Sequence, residues 1–197
     1  ESNLFALSSR IADPYYIGYG SATAHYGLTT QHRRLVFLVT PARVRGRQVG
    51  EGRVRIVKPQ PRKFFGFKPV DILGYSVMMS DREKTAIDCI DRPELAGGVT
   101  EAVSILAAAC RHLDWPKAVD YLDRIGSTAL IRRFGWVMDH VNAAVPVDVR
   151  EILLRRAARG SRTWMGPNPS HTVPDAIGYD KTWRLLINVS PDDLRET

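Results

Sequence analysis

The period of apolar and polar positions along the chain changes near residue 80. Before that point, short apolar runs such as Leu35–Val39 alternate with turn residues, which is typical of β-strands. After it, apolar residues recur every three or four positions, as at Val103, Leu106 and Cys110, which indicates amphipathic helices. The pattern predicts an α+β fold, with a strand-rich half over residues 1–79 and a mainly helical half over residues 80–197.

The strand-rich half is predicted to form a small mixed sheet. The continuous apolar run Leu35–Val39 predicts a strand that is buried on both faces. The turn Val49–Gly52 separates Arg43–Arg47 from Arg53–Lys58, which predicts a β-hairpin with a glycine turn. A second hairpin is expected over residues 70–79. Nearer the start of the chain, Tyr15–Ile17 predicts a short strand, and small residues over 21–26 predict a short helix.

The segment Ser80–Gly98 joins the two halves. Ser80 and Glu83 have the spacing of a capping box, so we expect Ser80 to be the N-cap of a helix. Further helices are predicted from the apolar stripes over 99–113, 118–125, 130–141 and 152–157. Thr182–Val189 predicts a late strand that returns to the sheet.

Positive charge is concentrated in one part of the chain. The net charge is +7, and eleven basic residues lie between positions 33 and 68 against the single acidic residue Glu51. A local excess of this kind indicates a polyanionic partner. The predicted nucleic-acid-binding residues are Arg33, Arg34, Arg43, Arg45, Arg47, Arg53, Arg55, Lys58, Arg62, Lys63 and Lys68. The alternative is a solvated arginine-rich face without a partner.

The hairpin pattern gives these charges a predicted arrangement. Strand periodicity places Arg43, Arg45 and Arg47 on one face, and Arg53 and Arg55 opposite Val54 and Ile56. A two-stranded ribbon fits the major groove of DNA, and arginine contacts phosphates. Three phenylalanines follow and could pack or stack on bases: Phe64, Phe65 and Phe67.

Patterns that carry catalysis are weak in this sequence. None of the six lysines has an acidic residue two positions before it, the arrangement that restriction-type nucleases use. The five histidines are scattered, and Asp88 lies within one turn of Lys84, which favours an ion pair. We therefore predict no enzymatic activity, no cofactor and no metal. The two cysteines, Cys89 and Cys110, are predicted to be buried thiols of a reducing cytoplasm. No apolar run predicts a membrane span or a signal peptide.

Several segments together resemble a known family. In chain order they are Tyr15–Ala22 with His25–Thr29, Val36–Thr40, Val54–Lys58, Phe64–Gly66, Ser80–Gly98 and Trp183–Val189. They are similar to segments of the C-terminal domain of AbiEi-type antitoxins, from type IV toxin–antitoxin systems. Ser80–Gly98 is the most specific of them, and together the segments cover most of the chain.

The resemblance implies a cytoplasmic prokaryotic antitoxin of an abortive-infection system. Such a protein counteracts a nucleotidyltransferase-like toxin, and a stable complex with the toxin is not required. It is also part of a transcriptional autorepressor, in which an N-terminal winged helix–turn–helix binds inverted repeats in double-stranded operator DNA. We expect that module to be absent from these residues, because Glu1 falls about where the C-terminal domain would begin. The family offers no catalytic residues.

Two other hypotheses remain open. One is an enzyme that acts on nucleic acid and is built on a degenerate nuclease scaffold. The other is a pure protein-interaction module, which would be favoured by arginines that are dispersed or paired internally.

Overall fold

The computed structural model describes residues 2–30, 34–170 and 176–190. Strands lie mostly in the first half of the chain and helices mostly in the second, which confirms the predicted α+β fold. The strands are β1 (Tyr16–Ile17), β2 (Leu35–Val39), β3 (Arg47–Val49), β4 (Gly52–Val57), β5 (Phe67–Ile72), β6 (Tyr75–Ser80), β7 (Thr163–Trp164), β8 (Gly178–Asp180) and β9 (Leu185–Ile187). The helices are α1 (Ser2–Ser8), α2 (Arg82–Asp91), α3 (Val99–Cys110), α4 (Trp115–Ile125), α5 (Thr128–His140) and α6 (Val147–Ala157).

Six strands form one mixed sheet in the order β3-β4-β2-β1-β6-β5. The pairs β3–β4, β2–β1 and β6–β5 are antiparallel, whereas β4–β2 and β1–β6 are parallel. The two predicted hairpins are β3–β4 and β5–β6, and both are confirmed. The arginine-rich hairpin therefore forms one edge of the sheet, and β5 forms the other.

The strand β2 lies inside the sheet and is buried on both faces, as its continuous apolar run predicts. Val36 and Leu38 point to one face, where residues of α1 pack against them. Phe37 points to the other face and packs in a cluster with Tyr16 and Leu95. Leu95 belongs to the 3₁₀ turn that follows α2, so the segment that joins the two halves also covers the sheet.

The helices α2 to α6 enclose a second apolar core, which the side chains of their predicted stripes fill. Pro116 lies in the first turn of α4, and Gly126 ends that helix in the left-handed conformation, with φ 62°. Gly135 of α5 is required by packing, because a Cβ atom there would lie 2.1 Å from the ring of Trp183. The helix boundaries in this half agree closely with the sequence pattern.

The helix α2 begins one residue later than the predicted capping box requires. Its N-cap is Asp81, whose carboxylate accepts a hydrogen bond from the Lys84 backbone N–H at 2.9 Å. Ser80 is the last residue of β6. Glu83 accepts a hydrogen bond from the Lys117 ammonium at 2.8 Å instead of reaching back to Ser80. The predicted box is wrong because Ser80 is held in the sheet.

The small-residue helix predicted over 21–26 is absent from this described segment. Tyr19–Ser21 form a 3₁₀ turn, and further turns continue to Gly27. The hydroxyl of Thr23 donates to the Gly20 carbonyl at 2.9 Å. Such side-chain bonds compete with helical backbone bonds, which explains the irregular path.

The late strand does not return to the six-stranded sheet, so that prediction is wrong. β9 pairs with β7 and β8 in a separate three-stranded sheet of order β7-β9-β8. Trp183, two residues before β9, is fully buried against Gly135 of α5. This contact holds the end of the described chain on the helical core and away from the larger sheet.

Cys89 and Cys110 are both buried and are not joined in a disulfide, as predicted. Among the described residues, no helix combines the length and the apolar character needed to cross a membrane.

Candidate nucleic-acid interface

The hairpin β3–β4 presents arginines on its solvent side because side chains alternate along a strand. Arg53 and Arg55 of β4 are exposed, whereas Val54 between them is buried. Arg55 lies over the ring of Phe37 on the neighbouring strand β2, with its guanidinium carbon 5.9 Å from the ring centroid. The predicted opposition of Arg53 and Arg55 to the apolar positions of β4 is confirmed.

The first arm of the hairpin is shorter than predicted. Only Arg47–Val49 are paired with β4, and residues 41–46 reach the strand as irregular chain. Gly46 still lies close to β4, since a Cβ atom there would be 2.5 Å from the Val54 carbonyl oxygen. The prediction that Arg43 and Arg45 share a strand face with Arg47 is wrong, because residues 41–46 are not part of a strand.

Arg43, Arg45 and Arg47 nevertheless line the same groove. A broad groove of about 1080 Å³ lies between residues 42–48 and the residues of β4. Six basic side chains border it, and all of them are exposed: Arg43, Arg45, Arg47, Arg53, Arg55 and Lys58. We call this surface the hairpin groove.

The hairpin groove carries its charge without nearby compensation. Within residues 34–170 and the other described ranges, no carboxylate forms an ion pair with any of the six basic side chains. The lining residues include no acidic side chain. Like charges crowded on a surface raise its potential, which attracts anions and polyanions.

The remaining predicted basic residues do not join the groove. Arg34 is paired with Glu51 at 3.2 Å in the hairpin turn region, and both side chains are largely exposed. Lys63 is paired with Asp91 and only 19% exposed. The others are placed elsewhere or not described: Arg62 lies in the 3₁₀ turn after β4, Lys68 lies on β5 at the opposite edge of the sheet, and Arg33 lies outside the described residues.

The three phenylalanines are not available for stacking on bases. Phe65 is buried, and its ring packs edge-on against Tyr121 of α4 with centroids 4.9 Å apart. Phe64 and Phe67 both pack against the ring of Tyr16. These aromatic residues therefore join the sheet to the helices, and only the packing part of their predicted role is met.

A buried charged pair lies on the inner side of α2, away from the groove. The Lys84 ammonium donates to both carboxylate oxygens of Asp88 at 2.5 Å, and also to the Tyr16 hydroxyl at 3.3 Å. Side-chain exposure is 0% for Lys84 and 2% for Asp88. The sequence predicted this pair from its spacing. It did not predict the depth of the pair or the part taken by Tyr16, which lies 68 residues before Lys84 in the chain.

Burial sets the ionisation of this cluster. Loss of water around Asp88 raises the pKa of its carboxyl above the ordinary value, although the Lys84 ammonium opposes that shift. The pKa of Tyr16 is also well above its ordinary value, first because the ring is buried and then because Asp88 is close. With no exposed surface, the cluster is a structural element that joins α2 to β1.

The other acidic residues of the Ser80–Gly98 segment are also engaged by the fold. Asp81 accepts from the Tyr121 hydroxyl at 2.7 Å and is paired with Lys117 at 3.0 Å. Asp91 is paired with Lys63. Among the residues the structure describes, no group of three histidine, cysteine or acidic side chains is arranged to hold a metal ion.

Comparisons with known proteins find a similarity of fold. The chain matches no protein-family model and no curated protein. It is similar in structure to the RV2827C protein from Mycobacterium tuberculosis, with a TM-score of 0.67 over 100% of this chain and 71% of that chain. Sequence identity is 14%, so this likeness is a likeness of fold.

Proposed function

We propose that this chain binds the phosphate backbone of double-stranded DNA through the hairpin groove, as part of an AbiEi-like antitoxin and autorepressor. The observation that carries the DNA-binding part is the gathering of six exposed basic side chains around one groove without a carboxylate partner among the described residues. Backbone contacts of this type position a protein on DNA and give affinity that depends on salt.

The arrangement of the arginines favours this function over a pure interaction module. A protein-binding face rich in arginine is expected to mix these residues with apolar anchors. The hairpin groove instead is lined by six basic side chains and by no aromatic, leucine or methionine side chain. The groove is also open to solvent, so a large polyanion can reach these side chains.

The antitoxin part of the proposal rests on the family resemblance of the sequence. In that role the chain would counteract a nucleotidyltransferase-like toxin encoded beside it, without necessarily forming a stable complex. DNA binding by the groove would then support autorepression together with a winged helix–turn–helix module. The chain itself would have no enzymatic activity in this proposal.

DNA binding is tested by removing charge from the groove. Replacing Arg45, Arg47, Arg53 and Arg55 with Ala should weaken binding to a 30-base-pair duplex and flatten its dependence on salt. Each phosphate contact contributes about 0.9 to the slope of log K against log salt, so the slope should fall by about 3 to 4. Fluorescence anisotropy between about 50 and 200 mM salt measures both quantities.

A matched control shows whether the effect belongs to the groove. Arg10, Arg111, Lys181 and Arg162 are exposed and do not line the groove. Replacing these four with Ala changes the net charge by the same amount and should leave most of the affinity. An unchanged slope in the groove variant, or equal losses in both variants, would remove the groove from the proposal.

Antitoxin function is tested by growth rescue. The toxin-like gene adjacent to the coding sequence is expressed under tight control, with and without these 197 residues. Rescue is the expected outcome, and the groove variant should rescue as well, because neutralisation is independent of DNA contact in this proposal. Failure of both this chain and the full reading frame to rescue would refute the antitoxin assignment.

A further inference from the structure

A second groove with basic residues lies on the helical half. It has a volume of about 380 Å³ and lies between the C-terminal end of α4, the start of α5 and one side of α6. Three arginines of α6 and the residues just after it line this groove: Arg155, Arg156 and Arg159. Arg155 and Arg156 lie in the last turn of α6, and Arg159 follows two residues after its end at Ala157.

Two more arginines lie beside this groove, on the side opposite to α6. The Nη1 atom of Arg62 lies 3.6 Å from the position that a Cβ atom on Gly126 would occupy, and Gly126 lines the groove. Arg124, two residues before Gly126, holds its guanidinium 4.0 Å from the centroid of the Phe65 ring. Stacking on a buried ring fixes the direction of this exposed side chain. We call the five arginines the helical patch.

The helical patch keeps an excess of positive charge after its ion pairs are considered. Arg156 is paired with Asp123, and Arg155 lies 3.8 Å from Glu151. Arg62, Arg124 and Arg159 form no ion pair with another described residue. Arg159 therefore lines the groove without an ion pair, Arg62 lies beside its lining residue Gly126, and Arg124 lies between the lining residues Asp123 and Gly126 along the chain. The lining also includes Thr128 in the first turn of α5, whose dipole adds to the positive potential.

A buried arginine holds the end of α6 that carries Arg159. Arg132 of α5 is 1% exposed, and its guanidinium donates to the carbonyls of Ala157 at 3.0 Å and of Arg159 at 2.6 Å. The Arg132 guanidinium also donates to the Ser161 carbonyl. The chain that leaves α6 is thereby fixed, and Arg159 stays at the rim of the groove.

The helical patch is connected to the hairpin groove by a short piece of chain. Lys58 borders the hairpin groove, and Arg62 follows four residues later beside Gly126. Four residues span at most about 14 Å. Phosphates of one DNA strand follow each other about every 3.4 Å along the helix axis, so one stretch of duplex could contact both surfaces.

We infer that the duplex bound in the hairpin groove continues across the helical patch, where Arg62, Arg124 and Arg159 contact further phosphates. This inference rests on the proposed DNA-binding function, and it assigns to the helical half a second contact with the same ligand. Phosphate contacts carry no sequence information directly. The contribution of the patch is therefore to affinity and to the length of the DNA site.

The test is a variant that removes the positive charge of the patch, with Arg62, Arg124 and Arg159 each replaced by Gln. For a 30-base-pair duplex, the slope of log K against log salt should fall by about 2 to 3, because each lost contact removes about 0.9. The matched control replaces Arg10, Arg111 and Lys181 with Gln.

The outcomes separate this inference from the proposed function. If the patch variant keeps the wild-type slope while the hairpin variant loses it, the inference is wrong and the proposed function stands. If the patch and control variants lose equal slope, general charge explains the loss and the inference is again wrong. If the wild-type protein does not bind the duplex, both fail. A further variant, Asp123→Asn, removes the carboxylate facing Arg156 and should tighten binding to the duplex.

Discussion

Basic side chains have opposite roles in two regions of this protein. Beneath α2, Lys84 is fully buried and satisfied by Asp88 and Tyr16. In the hairpin groove, six basic side chains are exposed and have no ion-pair partner among the described residues. The comparison shows that the number of basic residues alone does not identify a surface that binds a polyanion. What distinguishes a binding surface is positive charge that the fold leaves uncompensated.

The largest expected effect comes from breaking the buried pair. Lys84→Met should reduce the free energy of unfolding by about 3 to 5 kcal/mol, because it leaves the Asp88 carboxylate buried without its cation. The double variant Lys84→Met with Asp88→Leu should recover much of this loss, since no buried charge remains. Urea unfolding measures the effect. A loss below about 1 kcal/mol for Lys84→Met would contradict the structural role of the pair.

The hairpin variant, in which Arg45, Arg47, Arg53 and Arg55 are replaced with Ala, is the matched comparison for the unfolding measurement. Substitutions at exposed positions away from packing usually change stability by about 0.5 kcal/mol or less each. Its unfolding should therefore resemble that of the wild type while its DNA binding is lost. A hairpin variant that unfolds as easily as Lys84→Met would mean that the arginines stabilise the sheet.

A smaller loss of stability is expected in acid, because protonation of a carboxylate breaks its ion pair with an arginine. Arg150 donates to both oxygens of Asp139, at 2.9 and 2.6 Å, and these bonds hold the pKa of that carboxyl below its ordinary value. A lowered pKa in the folded state gives stability that is present above the unfolded pKa and is lost as the pH falls through the folded value. The free energy of unfolding should therefore decline below about pH 4.

The variant Asp139→Asn isolates this contribution. It should be less stable than the wild type by about 1 kcal/mol at neutral pH, and its decline in acid should be shallower. Urea unfolding at several pH values between about 6 and 2.5 compares the two profiles. Parallel profiles would show that the acid sensitivity comes from other carboxylates.

Much of the fold follows from local patterns. The buried strand β2, the two hairpins and the helical half were predictable, because apolar spacing and turn residues act over a few positions. The second sheet was not, because it depends on long-range contacts, among them the ring of Trp183 against Gly135 and the hydrogen bond from its indole N–H to Asp139. The N-cap of α2 was missed for the same reason, since pairing with β5 and β1 decides where β6 ends.

The candidate interface was predictable only in part. Clustering of arginines in the sequence identified the hairpin groove, because its residues are close along the chain. The assignment of Lys68 and Lys63 to the same surface was wrong, because β5 lies at the far edge of the sheet and Lys63 is paired with Asp91. The helical patch was missed, because Arg62, Arg124 and Arg159 are far apart in sequence and are brought together by helix packing.

The position of the arginine-rich hairpin at the edge of the sheet also bears on how the protein avoids aggregation. An edge strand offers unpaired backbone groups to which another chain can add. Beside β3, the crowded arginines of two copies would repel each other, and at the opposite edge Pro69 removes one backbone donor from β5. Neutralising the hairpin therefore also removes a protection against self-association, and light scattering should accompany every binding measurement on that variant.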